Sequence, residues 1–65
     1  MNWDELSGRW TQFAGALKER WAEFTDDEIQ QMQGNREQLE GKIQEKYGKS
    51  KEQAKEEVSE FLARL

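Results

Sequence analysis

The chain contains no cysteine, no histidine and no proline among its 65 residues. Without cysteine or histidine there is no disulfide framework, no thiol nucleophile, no imidazole base and no zinc site of the common ligand types. Proline-free sequence with few β-branched residues leaves little from which to build or bound a strand, so an all-helical chain is expected. Long apolar runs are missing as well, none exceeding three residues. The opening Met1-Asn2-Trp3-Asp4-Glu5 carries no basic region. The reading predicts a cytoplasmic protein with neither an export signal nor a membrane span. At this length the expectation is one domain over residues 1–65, without room for a catalytic unit beside a cofactor unit. A non-enzyme is therefore expected, with no catalytic residue, no cofactor and no metal.

What is present is charge and aromatic bulk. Ten Lys and Arg stand against fourteen Asp and Glu, a formal charge of −4. The imbalance sits entirely in the first half: residues 1–33 carry seven acids and three bases, residues 34–65 seven of each. An acidic balance speaks against a nucleic-acid partner bound through phosphates. Of the 22 apolar residues five are alanine, which leaves 17 large side chains for a core. Domains of this size rarely gain more than about 3–5 kcal/mol net from one core. Three Trp and three Phe help, since each buried aromatic removes roughly 150–250 Å² from water.

Trp3, Leu6, Trp10, Phe13, Ala14, Leu17, Trp21 and Phe24 follow one another at steps that confine them to an arc of about 100° on a helix. They predict a first amphipathic helix, interrupted near Gly8, with Glu5 and Arg9 spaced for an ion pair on its polar side. Thr25-Asp26-Asp27-Glu28 has the form of a capping box, opening a short second helix with Ile29 and Met32 inward. After Gly34-Asn35, Leu39, Ile43 and Tyr47 mark a third helix, stopped at Gly48 by a left-handed residue. Ser50 with Gln53 caps a fourth, striped by Ala54, Val58, Phe61, Leu62 and Leu65.

Sliding the chain by 26 positions pairs Gly8 with Gly34, Gln12 with Gln38, Gly15 with Gly41 and Glu19 with Glu45. Phe13 then meets Leu39, Leu17 meets Ile43, Arg20 meets Lys46 and Trp21 meets Tyr47. Each half is thus a long helix followed by a capped one: a hairpin over about 3–33 and another over about 34–65. Neither hairpin can bury its stripe alone, so the two are expected to pack around a shared aromatic core.

Trp3, Gly8, Trp10, Gly15, the Lys18-Glu19-x-Trp21 run and Thr25-Asp26-Asp27-Glu28 stand in the order of the CsbD-like family. The stretch from Arg36 to Gly48, followed by Ser50-Lys51-Glu52, Ala54 and Val58, resembles that family's most characteristic segment, and the likeness covers nearly the whole chain. Ala14, Ala16 and Ala22 stand where relatives commonly carry Lys or Gly. The resemblance implies a small bacterial stress-response protein of unassigned molecular activity. It also implies a four-helix fold of two hairpins packed at a steep angle, similar to SAM domains. It brings no catalytic or cofactor residues.

Asp26, Asp27 and Glu28 could hold a cation, but acids in a first helical turn are favoured by the macrodipole, and calcium-loop spacing is absent. Lys42, Lys46, Lys49, Lys51 and Lys55 could form a nucleic-acid face, the alternative function, but Glu45, Glu52 and Glu56 interleave with them, as in a Glu45 to Lys49 pair. Most of the aromatic stripe is needed for the core, which leaves Trp3 as the best candidate for exposure. Gly15 and Gly41 fall in mid-helix, opposite the apolar stripes, at a cost of roughly 1 kcal/mol each relative to alanine. Close approach by another helix or a partner would account for them, and so would helices kept weak and easily remodelled. Trp3, Gly8, Gly15 and Gly41 are therefore the candidate partner surface of a non-enzymatic, monomeric protein that works by protein contacts or as an abundant protectant. An unknown protein partner is possible, and nucleic acid or a membrane is not expected.

Overall fold

The computed structural model describes all residues from 1 to 65. They form five helices: α1 (Trp3–Gly8), α2 (Trp10–Arg20), α3 (Asp26–Gln31), α4 (Arg36–Tyr47) and α5 (Lys51–Arg64), with no strand. Four of them start on a side chain that accepts an orphan amide. The side chains of Asn2, Thr25, Asn35 and Ser50 accept from the backbone N–H of Glu5, Glu28, Gln38 and Gln53. At Thr25 and Ser50 the capping box closes in both directions, with Glu28 and Gln53 reaching back to the cap N–H.

The count of five corrects the expected four, because the interruption expected near Gly8 is a complete break that divides the first predicted helix in two. At Arg9 the backbone turns out of helical geometry (φ −119°, ψ 29°), directly after the weak helix former Gly8. The Arg9 N–H donates to the Glu5 and Leu6 carbonyls, which tightens the end of α1. The expected Glu5 to Arg9 ion pair does not form, Arg9 having left helical geometry at the end of α1. The second correction lies at the other end, where α2 stops at Arg20. Trp21 and Phe24 belong to the turn that follows, yet both are sealed from solvent. A third concerns Leu65, expected in the last apolar stripe: it lies beyond the end of α5 and is 37% exposed.

In the first half α2 packs on α3, and in the second α4 packs on α5. Thirteen buried apolar residues form one core drawn from every helix and from the α2–α3 turn, with Trp3, Phe13, Ala14, Ala16 and Tyr47 packed against its edge. The halves meet through aromatic side chains. Trp21 lies against Phe24 (ring centroids 6.0 Å apart) and Phe61 (5.1 Å), and Phe24 meets Tyr47 edge-on at 6.3 Å. Gly48 ends α4 in the left-handed region (φ +63°), as its position predicts. No helix is long and apolar enough to cross a membrane.

Gly15, in the middle of α2, faces open space: a Cβ placed there would meet nothing within 4 Å. Gly15→Ala should therefore raise stability by roughly 0.5–1 kcal/mol through helix propensity alone. A urea titration followed by circular dichroism reads this directly as a higher midpoint at unchanged slope.

Candidate functional site

The candidate partner residues do not converge. Trp3 is half-buried, its ring set edge-on to Trp10 at 5.7 Å, and so belongs more to the core margin than to a free surface. Trp10 behind it is 1% exposed, and its indole N–H donates to the Ile29 carbonyl at 2.7 Å. Gly8, Gly15 and Gly41 are all exposed, and a Cβ placed on any of them would meet nothing within 4 Å beyond its own stretch of helix. Packing against their own core therefore does not explain them. Gly41 alone lies in relief: it lines two adjoining depressions on the outer side of α4.

Two carboxylates tie the halves together. Glu28, on α3, accepts the Thr25 N–H (2.9 Å) and the Lys46 ammonium (2.9 Å), with the Lys42 ammonium at 3.7 Å. Glu57, on α5, accepts the Trp21 indole N–H (3.0 Å) and the Arg20 guanidinium (3.2 Å), with the Lys49 ammonium at 3.8 Å. The Tyr47 hydroxyl accepts the Glu23 N–H at 3.0 Å, adding a third crossing. Arg36 completes the set within the second half, donating to the nearly buried Glu40 (2.9 Å) and to Ser59 (3.0 Å).

The capping role of Glu28 was legible in Thr25-x-x-Glu28. Its bridging role was not, because Lys42 and Lys46 are distant in sequence. Arg36 and Glu40 carry an i to i+4 signal that could have been read. Glu57 carries none, since in sequence it is one acid of the Glu56-Glu57 pair.

The hydrogen bond from the Thr25 N–H, followed by that from Lys46, holds the Glu28 carboxyl down from 4.5 to about 2. Its folded value thus lies below its unfolded one, so the unfolded chain binds the extra proton between them. The stabilisation is complete above the unfolded value and disappears as pH falls toward 2. Glu28→Gln keeps an acceptor for the cap and removes the charge. It should melt below the wild type at pH 7, with the gap closing between pH 4.5 and about 2 in paired thermal melts.

The same contacts divide the lysine face. Lys42 and Lys46 lean on Glu28 and Lys49 on Glu57, leaving Lys51 and Lys55 as the lysines of that set outside an ion pair. The expected Glu45 to Lys49 pair does not form, because the left-handed Gly48 turns the chain away before Lys49. Among the acids of the first capped turn, Asp26 pairs with Lys18 at 2.9 Å. No observation favours the nucleic-acid alternative.

A family model described as CsbD-like matches residues 4–56. The chain belongs to the CsbD-like family. The match takes in Gly8, Gly15, Glu28 and Gly41, and leaves Trp3 and Glu57 outside it. The chain is 51% identical over 65 residues to a UPF0337 protein of Pseudomonas aeruginosa, covering all of both chains. It is 53% identical over 64 residues to a UPF0337 protein of Bordetella pertussis, covering 98% of this chain and 97% of the relative. It is 50% identical over 64 residues to UPF0337 protein YjbJ of Escherichia coli K12, covering 98% and 93%. No solved structure matches the chain significantly.

Proposed function

We propose that this CsbD-like chain is a non-enzymatic protein of the bacterial stress response that acts in the cytoplasm as a protectant, through a sealed core and a hydrated, charged outer surface. One observation carries this reading. Trp10, Trp21 and Phe24 are each 1% exposed or less, and Leu65 is the one large apolar residue that is exposed. Stable docking of a protein partner normally needs a desolvated apolar centre, and the aromatic stripe does not offer one. The reading includes a single domain over residues 1–65, monomeric in dilute solution, whose two hairpins cross at a steep angle as in SAM domains. It takes the charged surface, rather than Trp3, as the working part.

Drying or freezing a labile oligomeric enzyme with and without the purified chain tests this. Recovered activity should rise with the mass concentration of the chain and be equal for a folded Trp3→Ala variant. Protection that saturates near one chain per subunit and disappears in Trp3→Ala would show a docking module instead.

A further inference from the structure

The internal repeat holds four identical pairs over residues 8–22 and 34–48: Gly8 and Gly34, Gln12 and Gln38, Gly15 and Gly41, Glu19 and Glu45. All eight residues are exposed. Its apolar positions match in kind at best, as Phe13 with Leu39 and Leu17 with Ile43, and the buried Trp10 falls on Arg36. Folding constrains buried positions most, so identity confined to the surface needs another cause. A left-handed φ accounts for Gly34 but not for Gly8, a Cβ at Gly15 or Gly41 would meet nothing within 4 Å, and the side chains of Gln12, Gln38, Glu19 and Glu45 form no hydrogen bond or ion pair within the chain.

On α4 this face is shaped and locally neutral. Gly41 separates two depressions, one lined by Gln38, Lys42 and Glu45 among others, the second by Glu37, Glu40, Gln44, Lys51 and Lys55. Together these residues supply three acids and three bases, although the whole chain carries −4. The second half as a whole is neutral, so two copies approach here without the repulsion that opposes contact between their acidic first halves.

The face is also complementary to itself. If two α4 helices run antiparallel about a two-fold axis at Gly41, a residue three positions before Gly41 faces one three or four positions after it on the other helix. On one flank Gln38 meets Glu45 of the second copy, and on the other Glu37 meets Gln44. Each is an amide donor against a carboxylate acceptor, and symmetry repeats both. The missing side chain at Gly41 lets the backbones approach. The α2 face repeats only half of this, having Thr11 and Lys18 in the places of Glu37 and Gln44.

We propose that the outer face of α4, centred on Gly41, is a self-association surface on which a second copy of this chain packs antiparallel, with Gln38 and Glu37 donating to and accepting from Glu45 and Gln44 across the two-fold axis. This goes beyond the protective reading and does not depend on it. A contact of one helix per copy is small and polar, so half-saturation falls between about 0.1 and 1 mM.

Amide spectra of the ¹⁵N-labelled wild type from about 20 µM to about 2 mM test it. Saturating shifts over residues 37–48 are expected. Gln38→Glu sets two carboxylates against each other on each side and should abolish them. Gln38→Lys should shift half-saturation several-fold lower. Both substitutions lie on an exposed position, and unchanged indole N–H signals verify the fold. Absence of shifts at the highest concentration, shifts centred on α2 or on Leu65, or shifts indifferent to Gln38→Glu would each overturn the proposal.

Discussion

Trp21→Ala is expected to leave the domain largely unfolded at 25 °C. Trp21 is fully buried in the turn after α2, where its ring contacts Phe24 and Phe61 and its N–H reaches Glu57. Truncating a buried Trp or Phe to alanine costs about 3–5 kcal/mol. A core of this size leaves a net stability of about 3–5 kcal/mol, so the substitution removes nearly all of it. Because Trp21 and its neighbour Phe24 are the rings that join the two halves, neither half retains a closed core to fall back on. Circular dichroism should show most helical signal lost, and near-ultraviolet signal lost with it. Arg20→Ala removes a neighbouring contact to the same Glu57 and should cost at most about 1 kcal/mol, because that pair is partly exposed.

Gly34→Ala should destabilise by about 1–3 kcal/mol, clearly more than Gly48→Ala. Both glycines lie in the left-handed region, with φ +75° and +63°. They differ in their surroundings. A Cβ at Gly34 would stand 3.0 Å from the Ser7 hydroxyl oxygen, whereas one at Gly48 would meet nothing within 4 Å. Gly34 sits between α3 and α4, so its contact with Ser7 is where α1 touches the connection between halves. The substitution thus adds a steric push on α1 to the backbone strain. Denaturant midpoints for the two variants measure the difference, and Ser7→Ala, which removes only the hydroxyl, should recover more of the Gly34→Ala loss than of the Gly48→Ala loss.

Most of the helical pattern was legible because it is written locally. Thr25 with Glu28 and Ser50 with Gln53 are caps within one turn, and Gly48 ends α4 where its spacing says. The steps of three and four from Trp3 to Phe24 named the buried face correctly but overran its helix. A chain that breaks at Arg9 and again at Trp21 can keep pointing apolar groups inward, so hydrophobic period survives an interruption that hydrogen bonding does not. Bridging by Glu28 and Glu57 escaped for another reason: each meets bases far away in sequence, which no local spacing encodes. At the candidate site the outward position of Gly15 and Gly41 was read from helical phase. The paired depressions around Gly41 required the packing of α3 and α5 beside α4.

Hydrogen exchange at the three indole N–H groups of the wild-type protein tests most directly whether the aromatic core is sealed. Trp10 donates to the Ile29 carbonyl and Trp21 to Glu57 from buried rings, while Trp3 has no such acceptor and is half-exposed. The prediction is slow exchange at Trp10 and Trp21, limited by opening of the domain, and fast exchange at Trp3. Exchange at Trp10 or Trp21 as fast as at Trp3 would mean that the aromatic stripe is open to solvent, and would return it to consideration as a docking surface.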